Sequence, residues 1–512
     1  MSSSFVLGVD VGTSRIRCVA VDKSGETLGQ SEVSVNVLHP TPDASEIDPE
    51  ELWTKFKTVV SQTLESGSLK PEDTACIGIT TLRCTFLLWE RDTGKPLCNF
   101  STWQDRRAAQ ACIDWNESIQ LKTLQAGANV AYFFTRGKKF MAASVIKFIT
   151  NHVSVRLWWL LNQLEGARER GRNGELCFGT VDTWLIWKLT KGEVHATDYS
   201  NVSATAIYDT YQLDWSGLIL KIFEIPSQML PEVRDSGGDF GHSHEDIFGV
   251  SIPITGIISD QTSAMFGQMC WEPGDTKCTL GTGLFVNINT GNRPHASVTG
   301  LYPVIGWKIG SDLTFLAEGM FSSVGSVIEW GKKFGLYDCP SQTEDMAQSV
   351  DSSGGVCFVP CFDGIQAPHN DPNSTASVIG LTHNTRKEHI VRALLESIAF
   401  ICKQLLTVAN AEVSHPIKKI RVDGGVCRNG FILQLISDLL EIPIEKPSEL
   451  DKTVFGAVYV AGLASGFWKS RDELEGFWKL DNIFEPQENP QYESLYLTWQ
   501  EALHRSLKWY KS

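Results

Sequence analysis

The sequence predicts an α/β fold of duplicated architecture, on three observations. Apolar strands alternate with turns and an amphipathic helix near the N-terminus, the same alternation resumes near residue 254, and one strand–turn–strand device carrying Gly-Thr occurs in both halves. In the first copy the apolar strand Phe5–Asp10 ends in an acid, Val11-Gly12-Thr13-Ser14 turns the chain, and Arg15–Asp22 returns with alternating faces. In the second, Thr276–Leu280 leads through Gly281-Thr282-Gly283 into Leu284–Asn289. Such turns present backbone N–H groups with no Cβ in the way, so an anionic phosphate can approach. Alone, a GTG is an ordinary hairpin turn. As a pair, more than half a chain apart, the two devices suit one phosphate chain held from two sides.

Ahead of the second device, the β-branched run Ile254–Ser259 reads as a buried strand, Asp260 follows it, and Gln261–Gln268 reads as a helix with Ala264, Met265 and Phe266 inward. Asp260 therefore stands at a strand end and a helix start, where α/β folds gather ligands. The competing explanation is a helix N-cap, a position that favours Asp on its own account.

The other elements follow in order. Pro49–Ser66 is a helix opened by Asp48, with Leu52, Phe56, Val59, Val60 and Leu64 inward. Ile77–Thr80 and Phe86–Trp89 read as neighbouring strands, with Arg83 and Cys84 on the turn between them. In the aromatic stretch 125–160, the basic-aromatic cluster Arg136–Phe140 suits a membrane or a partner, but a surface hairpin or loop insertion is the simpler expectation. Glu165–Asn173 is a charged helix end and Phe178–Leu189 a tryptophan-rich helix. Gln366–Thr375 is a loop, and the helix His389–Val408 feeds the strand Ile420–Val422.

Bulk properties set bounds. A chain of 512 residues exceeds one ordinary core and predicts two or three domains. The net charge of −15 argues against a broad nucleic-acid face, so an anionic ligand needs a local site with Mg²⁺ offsetting its charge. The 13 cysteines lack metal-ligand spacing; Cys357 and Cys361 have no companion Cys or His pair, which argues against zinc. Buried thiols such as Cys18 and Cys76 fit a reducing compartment. MSSS runs directly into a core strand without a basic leader, and no apolar run reaches about 18 residues, so a cytoplasmic protein with no integral membrane segment is expected.

The two hairpins, together with GITTLRCTFLLWERDTGKPLCNFSTWQDRR (Gly78–Arg107), FGTVDTWLIWKLT (Phe178–Thr190), ISDQ and RVDGGVCRNGF (Arg421–Phe431), occur in an order that resembles the FGGY carbohydrate kinases, and within them the glycerol kinases. The resemblance runs from the first strand to Trp468. It implies two actin-like (ribonuclease H-like) ATPase domains flanking a nucleotide and substrate cleft, here 1–253 and 254–512, with ATP and Mg²⁺ as cofactors, a small polyol as substrate, and a homodimer or tetramer. Carried over residue by residue, Gly12, Thr13, Ser14 and Arg17 hold the β- and γ-phosphates, and Gly281, Thr282 and Gly283 clamp them from the opposite side. Gly325, Glu329, Gly424, Gly425 and Asn429 line the adenosine end. Asp10 and Asp260 attend the metal, usually through water. Asp260 is the general base, and Arg83, Cys84, Trp103, Asn151, Gln261 and Phe285 surround the polyol with it.

Four positions depart from the glycerol kinase pattern. Cys84 stands where Glu is usual, Asn151 where Tyr is, Glu329 where Gln is, and Arg15 where a small residue is. The implied activity is ATP-dependent phosphorylation of glycerol to sn-glycerol 3-phosphate. The alternatives are a pentulose or other sugar kinase of the family, which the DTGKP and FGTVDTWLIWKLT segments resemble less, and a nucleotide-binding regulator with little catalysis, which Cys84, Asn151 and Glu329 favour while the retained Asp10 and Asp260 favour the enzyme.

Overall fold

The computed structural model describes residues 4–297 and 299–510, and the sheet pairing in it bears out the duplication. The first sheet has five strands in the order Ile254–Ser259, Thr74–Thr81, Phe5–Val11, Arg15–Asp22, Thr27–Ser34. Phe5–Val11 pairs antiparallel with the strand that follows it and parallel with Thr74–Thr81. The second sheet repeats the scheme. Thr276–Leu280 pairs antiparallel with Leu284–Gly291 and parallel with Ile420–Asp423, and further strands extend both edges to seven.

The expected division at residue 254 differs from this pairing. Ile254–Ser259 is hydrogen-bonded alongside Thr74–Thr81, so it completes the first sheet, and the second sheet begins at Thr276. A later segment returns as well. The helix Thr453–Ala464 packs on the first sheet, across a row of glycines that pair with one another, Gly8 with Gly78 and Gly78 with Gly256. A Cβ on these residues would lie 2.3 Å from Val458 Cγ2, 2.1 Å from the Ala457 carbonyl oxygen and 2.6 Å from the Ala461 nitrogen, which is why three apolar strands each carry a glycine there. The helix Asp260–Gly267 packs against the same helix, and Gly456 is held to a glycine by Ser263 O, 1.9 Å from where its Cβ would be.

Elsewhere the local signals act as the sequence suggests. Asp48 accepts from the N–H groups of Glu50 and Glu51 at 2.9 Å and opens Pro49–Ser66, whose predicted apolar face is buried. Phe86–Glu90 is not a neighbour of Thr74–Thr81. It lies in a separate four-stranded sheet with Phe100–Ser101 and Leu176–Thr180, and the chain crosses between the sheets at Leu82–Thr85, where Cys84 takes a left-handed φ of 58°. Phe178 belongs to that strand, and the tryptophan-rich helix starts at Val181. The expected hairpin or loop near 125–160 is instead a pair of helices, Ile119–Thr135 and Lys138–Ser144, joined through Arg136.

Candidate active site

Three neighbouring parallel strands of the first sheet deliver Asp10, Arg83 and Asp260 to one edge. Asp10 pairs with Thr80, and Ser259 with Thr81, so Asp10 and Asp260 flank the strand that runs into Leu82-Arg83. Asp260 is the first residue of its helix, with Ser259 at the cap position. Its Oδ1 accepts the Gln261 N–H at 2.7 Å and lies 3.5 Å from Arg83 Nε, while Oδ2 has no hydrogen-bond partner among the described residues. Burial raises the carboxyl above its ordinary range, against the pull of Arg83. Asp10 is raised further, by burial first and then by the carboxylates of Asp451 and Asp260.

The second sheet faces these groups with two ranks of side chains set by register. Lys277 pairs with Asn287 and Asn287 with Glu318; two residues along, Asp423 pairs with Thr279, Thr279 with Phe285 and Phe285 with Met320. Glu318 accepts from Arg83 Nη2 at 2.8 and 2.9 Å and from Asn287 Nδ2 at 2.7 Å. Burial would weaken the Arg83 cation, but Glu318 and then Asp260 more than offset it, and its pKa is raised. Arg83 thus ties the two sheets together across the cleft. Lys277, fully buried, donates to Gln261 Oε1 at 3.0 Å and Thr279 Oγ1 at 2.7 Å and stands 4.0 Å from Asp423, which fixes the Gln261 amide.

The glycine turns pack as the sequence requires. Gly12 N–H donates to Arg15 O at 2.9 Å, and Thr13 Oγ1 accepts the Trp103 indole N–H at 3.0 Å, joining the first turn to a residue expected at the polyol. Ser14 is exposed beside it. Arg17 and Arg15 both reach Asp451, at 2.9 and 2.6 Å, so the expected phosphate contact of Arg17 carries a carboxylate here. In the second turn, Gly325 donates to Gly281 O at 2.9 Å and Val324 to Thr282 O at 3.0 Å. A Cβ on Gly283, Gly325 or Gly424 would meet a carbonyl oxygen of Phe321, Gly281 or Leu280 at 2.7, 2.6 or 2.5 Å. Gly425 has nothing within 4 Å of its Cβ direction and opens outward. Glu329 is exposed on the helix Gly325–Lys333. Asn429 caps the helix Gly430–Leu440, accepting the Ile432 N–H and donating to Thr343 Oγ1, both at 3.1 Å.

Among the residues expected at the polyol, Cys84 Sγ donates to Ala204 O at 3.1 Å, and burial raises the thiol's pKa. Arg156 holds this wall together. It donates to Ser101 O and Oγ and to Asn151 O, each at 3.1 Å, to Thr102 O at 2.6 Å, and to Cys84 O. Its partners are all neutral, and burial lowers its pKa to about 10. Glu318, Lys277, Asn287, Asp451 and Arg156 escaped the sequence reading. A charged residue inside an apolar strand, as in TKCTL and FLAEGMF, is the signal that marks Lys277 and Glu318.

Two sheets of one topology, glycine turns on both sides and acids at the strand ends define a two-domain actin-like phosphotransferase. Comparison with known proteins gives the family. The N-terminal domain of the FGGY family of carbohydrate kinases matches residues 5–267, and the C-terminal domain of that family matches residues 276–465. The chain is 48% identical to "Glycerol kinase 5" of Danio rerio, over 99% of this chain and 97% of that one, and 44% identical to "Glycerol kinase 5" of Homo sapiens, over 99% and 96%. It superposes on the crystal structure of Plasmodium falciparum glycerol kinase with ADP with a TM-score of 0.90 at 30% identity, covering 99% of each chain. The protein belongs to the FGGY family of carbohydrate kinases, and its activity is phosphoryl transfer to an alcohol acceptor.

Proposed function

We propose that the protein transfers the γ-phosphoryl group of ATP to glycerol, giving sn-glycerol 3-phosphate and ADP. The observation that carries this reading is Asp260, whose Oδ2 has no hydrogen-bond partner among the described residues and whose Oδ1 lies beside Arg83 and the Gln261 N–H. Asp260 takes the proton of the attacking hydroxyl as its oxygen bonds to the γ-phosphorus and the bond to the β-phosphate oxygen breaks. Arg83 and Gln261 orient the alcohol, with Trp103 and Phe285 as apolar walls. Thr13 and Ser14 offer N–H and hydroxyl groups to the phosphates, opposite Thr282 and Gly283, while Gly12 and Gly281 use their own N–H groups to close the two turns, on Arg15 O and Gly283 O, and keep the approach clear of a Cβ. Gly425 leaves room for the adenosine end, and Asn429 supports that end by fixing the helix it caps.

Mg²⁺ fits the donors present. Burial and the neighbouring carboxylates of Asp451 and Asp260 hold Asp10 above its ordinary range, a crowding of negative charge that a divalent cation relieves, and two carboxylates with water and phosphate oxygens make an ordinary Mg²⁺ set. Bound there, the ion would neutralise developing phosphate charge. Glu329 is exposed, and Arg17 reaches phosphate only on exchanging Asp451.

Cys84 and Asn151 favour a second reading, a different small polyol or sugar as acceptor. The thiol is a weak acceptor and already donates to Ala204 O. We infer a cytoplasmic setting from thirteen free cysteines; among the described residues no helix is long and apolar enough to cross a membrane. A dimer or tetramer is our expectation from the family.

The test is ADP release by the purified protein with Mg·ATP and glycerol, other polyols or pentuloses. Glycerol-dependent release supports the first reading and release with another alcohol only supports the second. Release with none of them overturns both.

A further inference from the structure

The helix Ile119–Thr135 shows two apolar faces. Leu121 and Ala128 are buried against the protein, while Ile119, Ala126, Val130, Phe133 and Phe134 recur at helical spacing on the opposite side. Ile119 is 81% exposed, Val130 59%, Phe133 66% and Phe134 78%. Phe140, Val145 and Ile149 of the following segment are exposed as well. Large apolar side chains gathered on one outward face mark an interaction surface.

The charge around the patch indicates what covers it. Residues 118–164 contain no Asp or Glu and six Lys or Arg, in a chain whose net charge is −15. Arg156 is buried in the polyol wall and Lys139 is paired with Asp209 at 2.7 Å. Lys122, Arg136, Lys138 and Lys147 are exposed and make no ion pair among the described residues. A second copy docking through the same patch would set these four cations against four like charges, because a two-fold interface uses the same surface on both sides. An anionic lipid surface supplies opposite charge over its whole area and takes apolar side chains into its headgroup boundary.

We propose that the helix pair Ile119–Thr135 and Lys138–Ser144 is a peripheral docking surface for anionic membranes, with Phe133 and Phe134 entering the interface and Lys122, Arg136, Lys138 and Lys147 meeting the headgroups. This goes beyond the catalytic reading and does not depend on it.

The experiment is co-sedimentation of the full-length protein with vesicles of phosphatidylcholine alone and with about 30 mol% phosphatidylserine, at about 0.1 M salt. The bound fraction on anionic vesicles should exceed that on neutral ones by about tenfold or more, and fall back at about 0.5 M salt. Phe133→Ser/Phe134→Ser and Arg136→Glu/Lys138→Glu should each abolish binding while thermal unfolding stays that of the wild type, since all four side chains are exposed. Equal binding to both vesicle types, no binding to either, or unchanged binding by the double variants would overturn the proposal. So would a wild-type dimer in light scattering that Phe133→Ser/Phe134→Ser converts to monomer without any vesicle binding, which would assign the patch to a second copy.

Discussion

Glu318→Gln removes one charge from the contact that joins the two sheets over the site, and its consequences can be worked out in sign and size. The wild-type carboxylate accepts from Arg83 at 2.8 and 2.9 Å and from Asn287 at 2.7 Å, with Arg83 and Glu318 only 10% and 9% exposed. The amide that replaces it has one oxygen for two donors and turns an N–H toward the other. The ion pair becomes a cation–amide contact and one buried donor is left without a partner, a loss of about 2 kcal/mol in holding Arg83. If Arg83 orients the alcohol, the KM for that alcohol rises by about tenfold or somewhat more, while nucleotide affinity is unchanged. The pH profile moves too. The charge of Glu318 raises the Asp260 carboxyl and Arg83 lowers it. Losing Glu318 and freeing Arg83 toward Asp260 both favour the carboxylate, so the acid limb of kcat/KM shifts to lower pH. Steady-state kinetics across pH, with nucleotide calorimetry alongside, reads all three. An unchanged KM and acid limb in a folded variant would refute the reasoning and leave Glu318 as a structural contact alone.

Two further predictions concern backbone space and protonation. Gly424→Ala puts a Cβ 2.5 Å from Leu280 O at a φ of 95° and should destabilise the protein by about 2 kcal/mol or more, whereas Gly425→Ala meets nothing within 4 Å, so it should melt like the wild type and bind nucleotide more weakly; thermal unfolding and calorimetry that fail to separate the two would contradict this. Burial pushes Asp182 from 3.8 to about 7, with one oxygen held by Thr197 at 2.6 Å and the other unpaired. The folded chain then keeps a proton that the unfolded chain releases, so this stability is full below about pH 4 and is lost as pH rises through about 7. Asp182→Asn should flatten that decline and raise the melting temperature above pH 7; an unaltered pH dependence of melting would sink the assignment.

Turn chemistry and strand periodicity are local, so the two hairpins, the Asp48 cap and the Asp260 junction were legible in the sequence. Register is not local. Glu318 and Arg83 are 235 residues apart and meet only because two sheets face each other, and Lys277 reads as a misplaced charge until Gln261 and Asp423 stand beside it. The boundary at residue 254 failed for a related reason. A strand's hydrophobicity says that it is buried but not which sheet buries it, and Ile254–Ser259 pairs backward with Thr74–Thr81. In the helix Ile119–Thr135 the outward apolar stripe blurred the amphipathic pattern that would have identified it as a helix.

In the proposed reaction Asp260 is the group that accepts the hydroxyl proton. Asp260→Asn keeps the shape and the contact with the Gln261 N–H but removes the base, and the informative measurement is ADP release with glycerol and Mg·ATP together with calorimetry of a non-hydrolysable ATP analogue. A fall in kcat of about two to four decades with nucleotide affinity nearly intact is the result predicted. Retention of more than about a tenth of the wild-type turnover would contradict the account and leave Asp260 as a residue of the helix start.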